Sequence, residues 1–212
     1  MTHLRVVVIA VPGTGKTSTL QLLRKMKPDI KIVNFGDFMF EIAREKYGIK
    51  DRDEMRKKLS LEEYRELQLE AAKRIAEIKG DVVIDTHLAI KTPKGYYPGL
   101  PTEVAKLLMP DVIAILEFNP SIILERRLKD IRLKSTIITK DGIVRKPRAL
   151  RDIESEDEIE LHQQMNRYFS VVVANEVRAT VKIINLRNIV QKKPFEHAQI
   201  AAKELLKVLE HK

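Results

Sequence analysis

Residues 4–17 read Leu-Arg-Val-Val-Val-Ile-Ala-Val-Pro-Gly-Thr-Gly-Lys-Thr, and no other stretch of the 212-residue chain restricts its fold so tightly. A β-branched apolar run, residues 6–9, feeds a glycine-containing loop that ends in Gly15-Lys16-Thr17 and opens a helical pattern. This is a P-loop in its expected strand–loop–helix setting. Backbone N–H groups of such a loop, with those of the helix N-terminus, surround an anionic phosphate. Lys16 is then expected to reach β- and γ-phosphates, and the Thr17 hydroxyl to hold Mg²⁺. One position departs from GxxxxGK[ST]: the first glycine is Ala10. A methyl group is tolerated there only if the local φ is negative. The plain alternative is a strand–turn–helix in which glycine serves turning alone. Gly13, Gly15, Lys16 and Thr17 together weigh against it.

The rest of the chain alternates strand and helix patterns. Residues 16–25 read as a helix burying Leu20, Leu22 and Leu23, and 32–34 as a short strand. Residues 36–47 follow as a helix with Phe38, Phe40, Ile42 and Ala43 among its apolar positions. Ser60-Leu-Glu-Glu63 is a capping box opening a helix to about residue 78. Residues 82–85 read as a buried strand, 112–118 as another apolar run and 180–185 as the last strand; 121–132, 156–175 and 195–209 read as helices. Five short strands separated by helices predict an α/β fold with a mostly parallel sheet and helices on both faces. Ligands of such sheets bind at the carboxyl ends of the strands.

Two segments interrupt the alternation. Residues 48–78 insert extra helical material, and 132–152 have no helical period. Within the latter, 136–145 read as a β-hairpin around Asp141-Gly142, a small flap between two helices. The chain carries 39 Lys and Arg against 30 Asp and Glu, a net charge of +9. Between Arg126 and Arg151 there are ten basic residues (Arg126, Arg127, Lys129, Arg132, Lys134, Lys140, Arg145, Lys146, Arg148, Arg151) and two acids, Asp130 and Asp141. That +8 is either a solvated face, a phosphate clamp or a nucleic-acid patch. Without cysteine there is no disulfide and no thiolate metal site, which fits an intracellular chain. No apolar run reaches membrane-spanning length, and the first residues read as a charged strand rather than a signal peptide.

Asp85 ends an apolar strand; beside a P-loop such an acid orders the water shell of Mg²⁺, whereas alone it would only cap a turn. His87 follows, as a residue facing the site or a structural hydrogen-bonder. Residues 91–101, with three prolines, two glycines and two tyrosines, form either a ligand-shaping loop or a connector. In Asn34-Phe-Gly-Asp-Phe-Met39, Gly36 permits close approach of a ligand and Asp37 is available to cap the helix. Arginines suit phosphoryl oxygens because they are planar, bidentate and permanently charged.

Taken together, Ala10-Val-Pro-Gly-Thr-Gly-Lys-Thr17, Asn34-Phe-Gly-Asp-Phe-Met39, Asp51-Arg-Asp-Glu-Met-Arg56, Ile84-Asp-Thr-His87, Lys91-Thr-Pro-Lys-Gly-Tyr96, Pro98-Gly-Leu-Pro101 and His162-Gln-Gln-Met-Asn-Arg167 resemble archaeal-type adenylate kinase over nearly the whole chain. The resemblance implies a single domain with the P-loop nucleoside monophosphate kinase fold: a core of residues 1–35, 79–128 and 154–212, an AMP-binding helical insertion at 36–78 and a basic lid at 129–153. It implies Mg²⁺-dependent ATP + AMP ⇌ 2 ADP in the cytoplasm, by a homo-oligomer, commonly a trimer. It places ATP on Ala10, Val11, Pro12, Gly13, Thr14, Gly15, Lys16, Thr17 and Ser18, and AMP near Gly36, Asp37, Met55, Arg56 and His87. Lys16, Arg126, Arg127, Arg132 and Arg151 would act on the phosphates, with Thr17 and, through water, Asp85 at the metal. Ala10 and a long lid hairpin at 135–150 depart from the family pattern. The hairpin's lack of Cys and paired His excludes a structural zinc. Rival readings are a kinase of another nucleoside monophosphate or small acceptor, and a nucleic-acid-binding ATPase. No aromatics interleave the basic residues, which weighs against the nucleic-acid reading.

Overall fold

The computed structural model describes residues 3–134, 154–191, 193 and 195–210, apart from the side chains of residues 53, 56 and 131–134. The flap at 136–145, and with it Arg145, Arg148 and Arg151, lies outside them, as does the Arg132 side chain.

The five-stranded sheet is fully parallel, in the order β2 (Lys31–Asn34), β3 (Val82–Asp85), β1 (Arg5–Ala10), β6 (Val112–Glu117), β7 (Thr180–Asn185). Alternation along β1 sends its side chains to opposite faces. Val7 and Ile9 join Val82, Ile84 and Ile113 in one core. That face is covered by α2 (Phe35–Tyr47), α4 (Leu61–Ala76), α5 (Thr102–Leu108) and most of α7 (Glu156–Val177). Val6, Val8 and Ala10 join Val83, Ala114 and Leu116 in the other core. There α1 (Lys16–Met26), α6 (Pro120–Lys134) and α8 (Glu196–Glu210) supply Leu20, Leu23, Ile123, Ala201 and Leu205. Two-sided burial explains why the inner strands β1, β3 and β6 are continuous apolar runs rather than alternating ones.

The insertion comprises a 3₁₀ turn (Arg52–Glu54), α3 (Met55–Lys58) and α4. Ser60 caps α4 by accepting from the Glu63 backbone, while Glu63 reaches back to the Ser60 N–H, which is the expected capping box. An identical box, Ser155 with Glu158, starts α7. Leu22, expected to be buried, is only half-buried; Thr19 takes that position in the core.

Two expectations are corrected. Residues 91–101 are not an irregular loop. An antiparallel hairpin, β4 (Ala89–Thr92) with β5 (Gly95–Pro98), occupies most of that stretch. Pro98 is tolerated because it ends an edge strand, where no ladder donor is required. Asp37 does not cap α2: Asn34 does, its side-chain oxygen accepting from the Asp37 backbone N–H at 3.2 Å. The cap must precede the first helical residue, Phe35, and Asn34 holds the extended conformation a cap requires.

Candidate active site

β1 delivers the chain to the P-loop at the carboxyl edge of the sheet, in its central strand. Ala10 is the last strand residue, 2 % exposed and paired with Leu116. Among the described residues the non-glycine positions with positive φ are Met109, Arg178 and Phe195, so Ala10 carries no left-handed strain. Positive φ falls instead on Gly13 (91°) and Gly15 (92°), where it requires glycine. Side-chain crowding adds to that requirement. A Cβ on Gly13 would come within 3.1 Å of Arg127 Cγ, and one on Gly15 within 2.8 Å of His197 Nε2. Thr14 closes the turn, donating from its hydroxyl to the Val11 carbonyl at 2.6 Å. Gly15 caps α1 with no side-chain hydrogen bond, and the first turn carries no acidic residue, so its orphan N–H groups are left for a ligand.

Lys16 extends across this loop. Its ammonium donates to the Thr86 carbonyl at 2.6 Å and pairs with Asp85 Oδ1 at 2.5 Å. Burial pushes the Lys16 pKa down, the Asp85 charge and hydrogen bond oppose that, and Arg52 adds a further repulsion. An anionic phosphate beside this ammonium would offset the burial penalty, as suits a P-loop lysine. Thr17 and Asp85 line one open cavity of about 230 Å³ together with Asn34 and Asp37. Hydroxyl and carboxylate oxygens are the donors that Mg²⁺ prefers, so this pair fits the ion.

Two arginines of α6 reach the loop. Arg127 donates from Nε to the Pro12 carbonyl at 2.8 Å and from Nη1 to Glu154 Oε2 at 2.7 Å. Its Nη2 is buried with no hydrogen-bond partner among the described residues. Arg126 donates to the Thr14 carbonyl at 3.4 Å and to Gln191 at 2.9 Å, and lies over the Phe118 ring at 4.4 Å. These positions bring Lys16, Thr17, Asp85, Arg126 and Arg127 to one edge of the sheet.

The expected acceptor residues lie in the neighbouring segment. Gly36 sits under Arg52, whose guanidinium a Cβ there would overlap. Asp37 pairs with Arg52 Nη1 at 2.6 Å. Met55 is 4 % exposed and belongs to the core between α2 and α4, and Arg56 has only its backbone described. His87 follows β3, its carbonyl so close to Gly99 that no Cβ fits there.

Sequence reasoning did not single out Arg52, Glu154 or His197. Glu154 is 4 % exposed and accepts from Arg127, while its other oxygen faces His162 Nδ1 at 3.1 Å. Burial alone would raise the Glu154 pKa, but hydrogen bonds from His162 and Arg127 hold it below the usual carboxylate range. His197 touches the P-loop from α8, and burial with the Arg126 charge pushes its pKa down to about 4.

Comparison with known proteins follows the same lines. Residues 9–144 match the AAA domain family. The adenylate kinase of Pyrobaculum aerophilum is 47 % identical over 206 residues, covering 97 % of this chain and 96 % of its own. Those of Pyrococcus horikoshii (41 % over 208 residues, 97 % and 94 % covered) and Methanocaldococcus jannaschii (40 % over 210 residues, 96 % and 97 % covered) are similar throughout. Among solved structures, shikimate kinase from Bacteroides thetaiotaomicron aligns with a TM-score of 0.54 and 17 % identity over 98 % of each chain. Shikimate kinase from Acinetobacter baumannii gives 0.51 and 15 % identity, covering 99 % of this chain and 94 % of its own. At such identities the likeness is one of fold alone. Full-length similarity at 40–47 % identity is of another order, and by it the chain belongs to the adenylate kinase family and is a phosphotransferase.

Proposed function

We propose that this chain catalyses ATP + AMP ⇌ 2 ADP with its P-loop as donor site and the 36–78 insertion over the acceptor. The core is then 1–35, 79–128 and 154–212, and 129–153 is the lid. The observation that carries the residue assignment is the buried Nη2 of Arg127, which has no partner among the described residues and lies beside the P-loop turn. A buried donor without an acceptor costs free energy, and a phosphoryl oxygen is the acceptor this position suits.

In this reading residues 10–18 cradle the ATP phosphates through backbone N–H groups. The acceptor is already an anion, so no general base is required. Its phosphate oxygen attacks the γ-phosphorus in line while Lys16, Arg126 and Arg127, with Arg132 and Arg151 from the basic segment, neutralise charge on the transferring group. Thr17, and Asp85 through water, would hold Mg²⁺, which supplies charge neutralisation at the β- and γ-phosphates when bound. Gly36, Asp37, Met55, Arg56 and His87 belong to the AMP side. A coupled assay of ADP formation, run with AMP and with a panel of other monophosphates, tests acceptor identity. Strong preference for a different acceptor would overturn it.

We also read the protein as a cytoplasmic homo-oligomer, a trimer by resemblance. Among the described residues no helix is long and apolar enough to cross a membrane. Leu161, Tyr168, Val171 and Val172 form an exposed apolar stripe on α7, between 46 % and 61 % accessible, which supports self-association. Light scattering on the eluting peak of a sizing column measures the copy number.

A further inference from the structure

Asn34 ends β2 beside Asp85, its register partner at the end of β3. Its amide is engaged on both sides. Nδ2 donates to Asp85 Oδ2 at 2.8 Å. Oδ1 accepts from the Asp37 backbone at 3.2 Å, which is the helix cap, and from Arg52 Nη2 at 3.0 Å. Asp85 in turn holds Lys16. A hydrogen-bonded chain therefore runs Lys16–Asp85–Asn34–Arg52 across the carboxyl edge of the sheet.

Capping α2 does not require asparagine. Serine, threonine or aspartate would serve about as well, because a cap needs only an acceptor. Bridging a carboxylate to a guanidinium needs a donor and an acceptor on separate atoms of one short side chain, an arrangement the asparagine amide supplies and a single hydroxyl oxygen does not. Aspartate at 34 would set two carboxylates against each other, and serine would not span the gap. The backbone is also cleared for Arg52, since any side chain at Gly36 would overlap its guanidinium. The charge of Arg52 is felt at Lys16, where it helps to push the ammonium pKa down, so the two cations share one electrostatic field.

We propose that Asn34 is a positioning residue for phosphoryl transfer: it holds Arg52, toward the phosphate of the acceptor nucleotide, in register with Asp85 and Lys16 on the donor side. The proposal rests on the reading of the 36–78 insertion as the acceptor side.

Asn34→Ser, Arg52→Ala, the double variant and Gly36→Ala test it, with ATP and AMP varied separately and the melting temperature recorded for each. Serine retains the cap, so Asn34→Ser should melt within about 2 °C of the parent. KM for AMP should rise about tenfold and KM for ATP less than about twofold. Arg52→Ala should raise KM for AMP at least as much. On that background Asn34→Ser should add less than about twofold, because residues acting as a unit are not additive. Gly36→Ala leaves Asn34 intact and suits a helix, yet displaces Arg52; it should show the same AMP-selective loss and keeps the test alive if Asn34→Ser folds poorly. A lowered melting temperature with unchanged KM for AMP would reduce Asn34 to a cap. Full additivity, or a silent Arg52→Ala, would also overturn the proposal. Should Arg52→Ala raise KM for ATP instead, the acceptor-side reading itself would fall.

Discussion

The guanidinium of Arg126 lies against the ring of His197, Nη1 3.2 Å from Nε2 and Nη2 3.2 Å from Nδ1. Phe118 completes the group, its ring 5.0 Å from that of His197 and 4.4 Å from the Arg126 charge. An imidazolium in this position would be buried and repelled at once, so the ring stays neutral down to a pKa of about 4.

Stability should therefore fall as pH drops through the window from about 6.5 to about 4, in which the unfolded chain takes up a proton that native His197 refuses. Above that window both states are neutral there and the linkage vanishes. Carboxylates titrate in the same range, so the readout is a difference. Urea midpoints at pH 7 and pH 4.5 should separate less in His197→Gln than in the parent. Equal separations would mean that His197 titrates normally.

Lys16→Ala should abolish turnover and leave the fold intact. Lys16 reaches Asp85 and the Thr86 carbonyl through its ammonium, and neither apolar core includes it. Losing a transition-state charge contact should cost on the order of 10²-fold or more in kcat. Near-parental kcat in a folded variant, judged by circular dichroism, would exclude the assignment.

The P-loop was legible because its residue types report on local backbone. Gly13 and Gly15 sit where φ is positive, and Lys16 and Thr17 follow at the helix start. The core strands and the α4 capping box were legible for the same local reason. What escaped was set by contacts distant in sequence. His197 meets Arg126 across 71 positions, and Glu154 meets Arg127 across 27. No periodicity marks such partners. Asn34 and Asp37 are both good caps, and only the observed first helical residue, Phe35, decides between them. The β4–β5 hairpin was hidden by Pro93 and Pro98, which read as loop until strand pairing is seen.

Ala10→Gly should weaken the protein without tightening nucleotide binding. Ala10 is strand, buried and free of positive φ, so restoring the usual glycine relieves no strain. Glycine in a strand costs roughly 0.5–1 kcal/mol relative to alanine. Its melting temperature should fall by a few degrees while KM for ATP stays within about twofold. Tighter ATP binding would show that the loop is strained in the parent.

Glu154→Ala should be among the most damaging single changes away from the sheet. The carboxylate is buried, accepts from Arg127 and faces His162, which itself faces the Ala89 carbonyl of β4 at 3.0 Å. One side chain thus ties α6 and the P-loop arginine to the β4–β5 hairpin. Removing it strands the Arg127 charge, a loss of about 3–5 kcal/mol for a buried pair. Because the folded Glu154 pKa lies below the ordinary 4.5, this stabilisation is present above that value and lost as pH falls through the folded one. The gap between parent and variant in urea unfolding should therefore be widest near pH 7 and shrink as pH falls below 4. Arg127→Ala should cost less when Glu154 is already alanine, since the two act as one unit. A pH-independent gap, or strict additivity, would mean that Glu154 contributes packing and not charge.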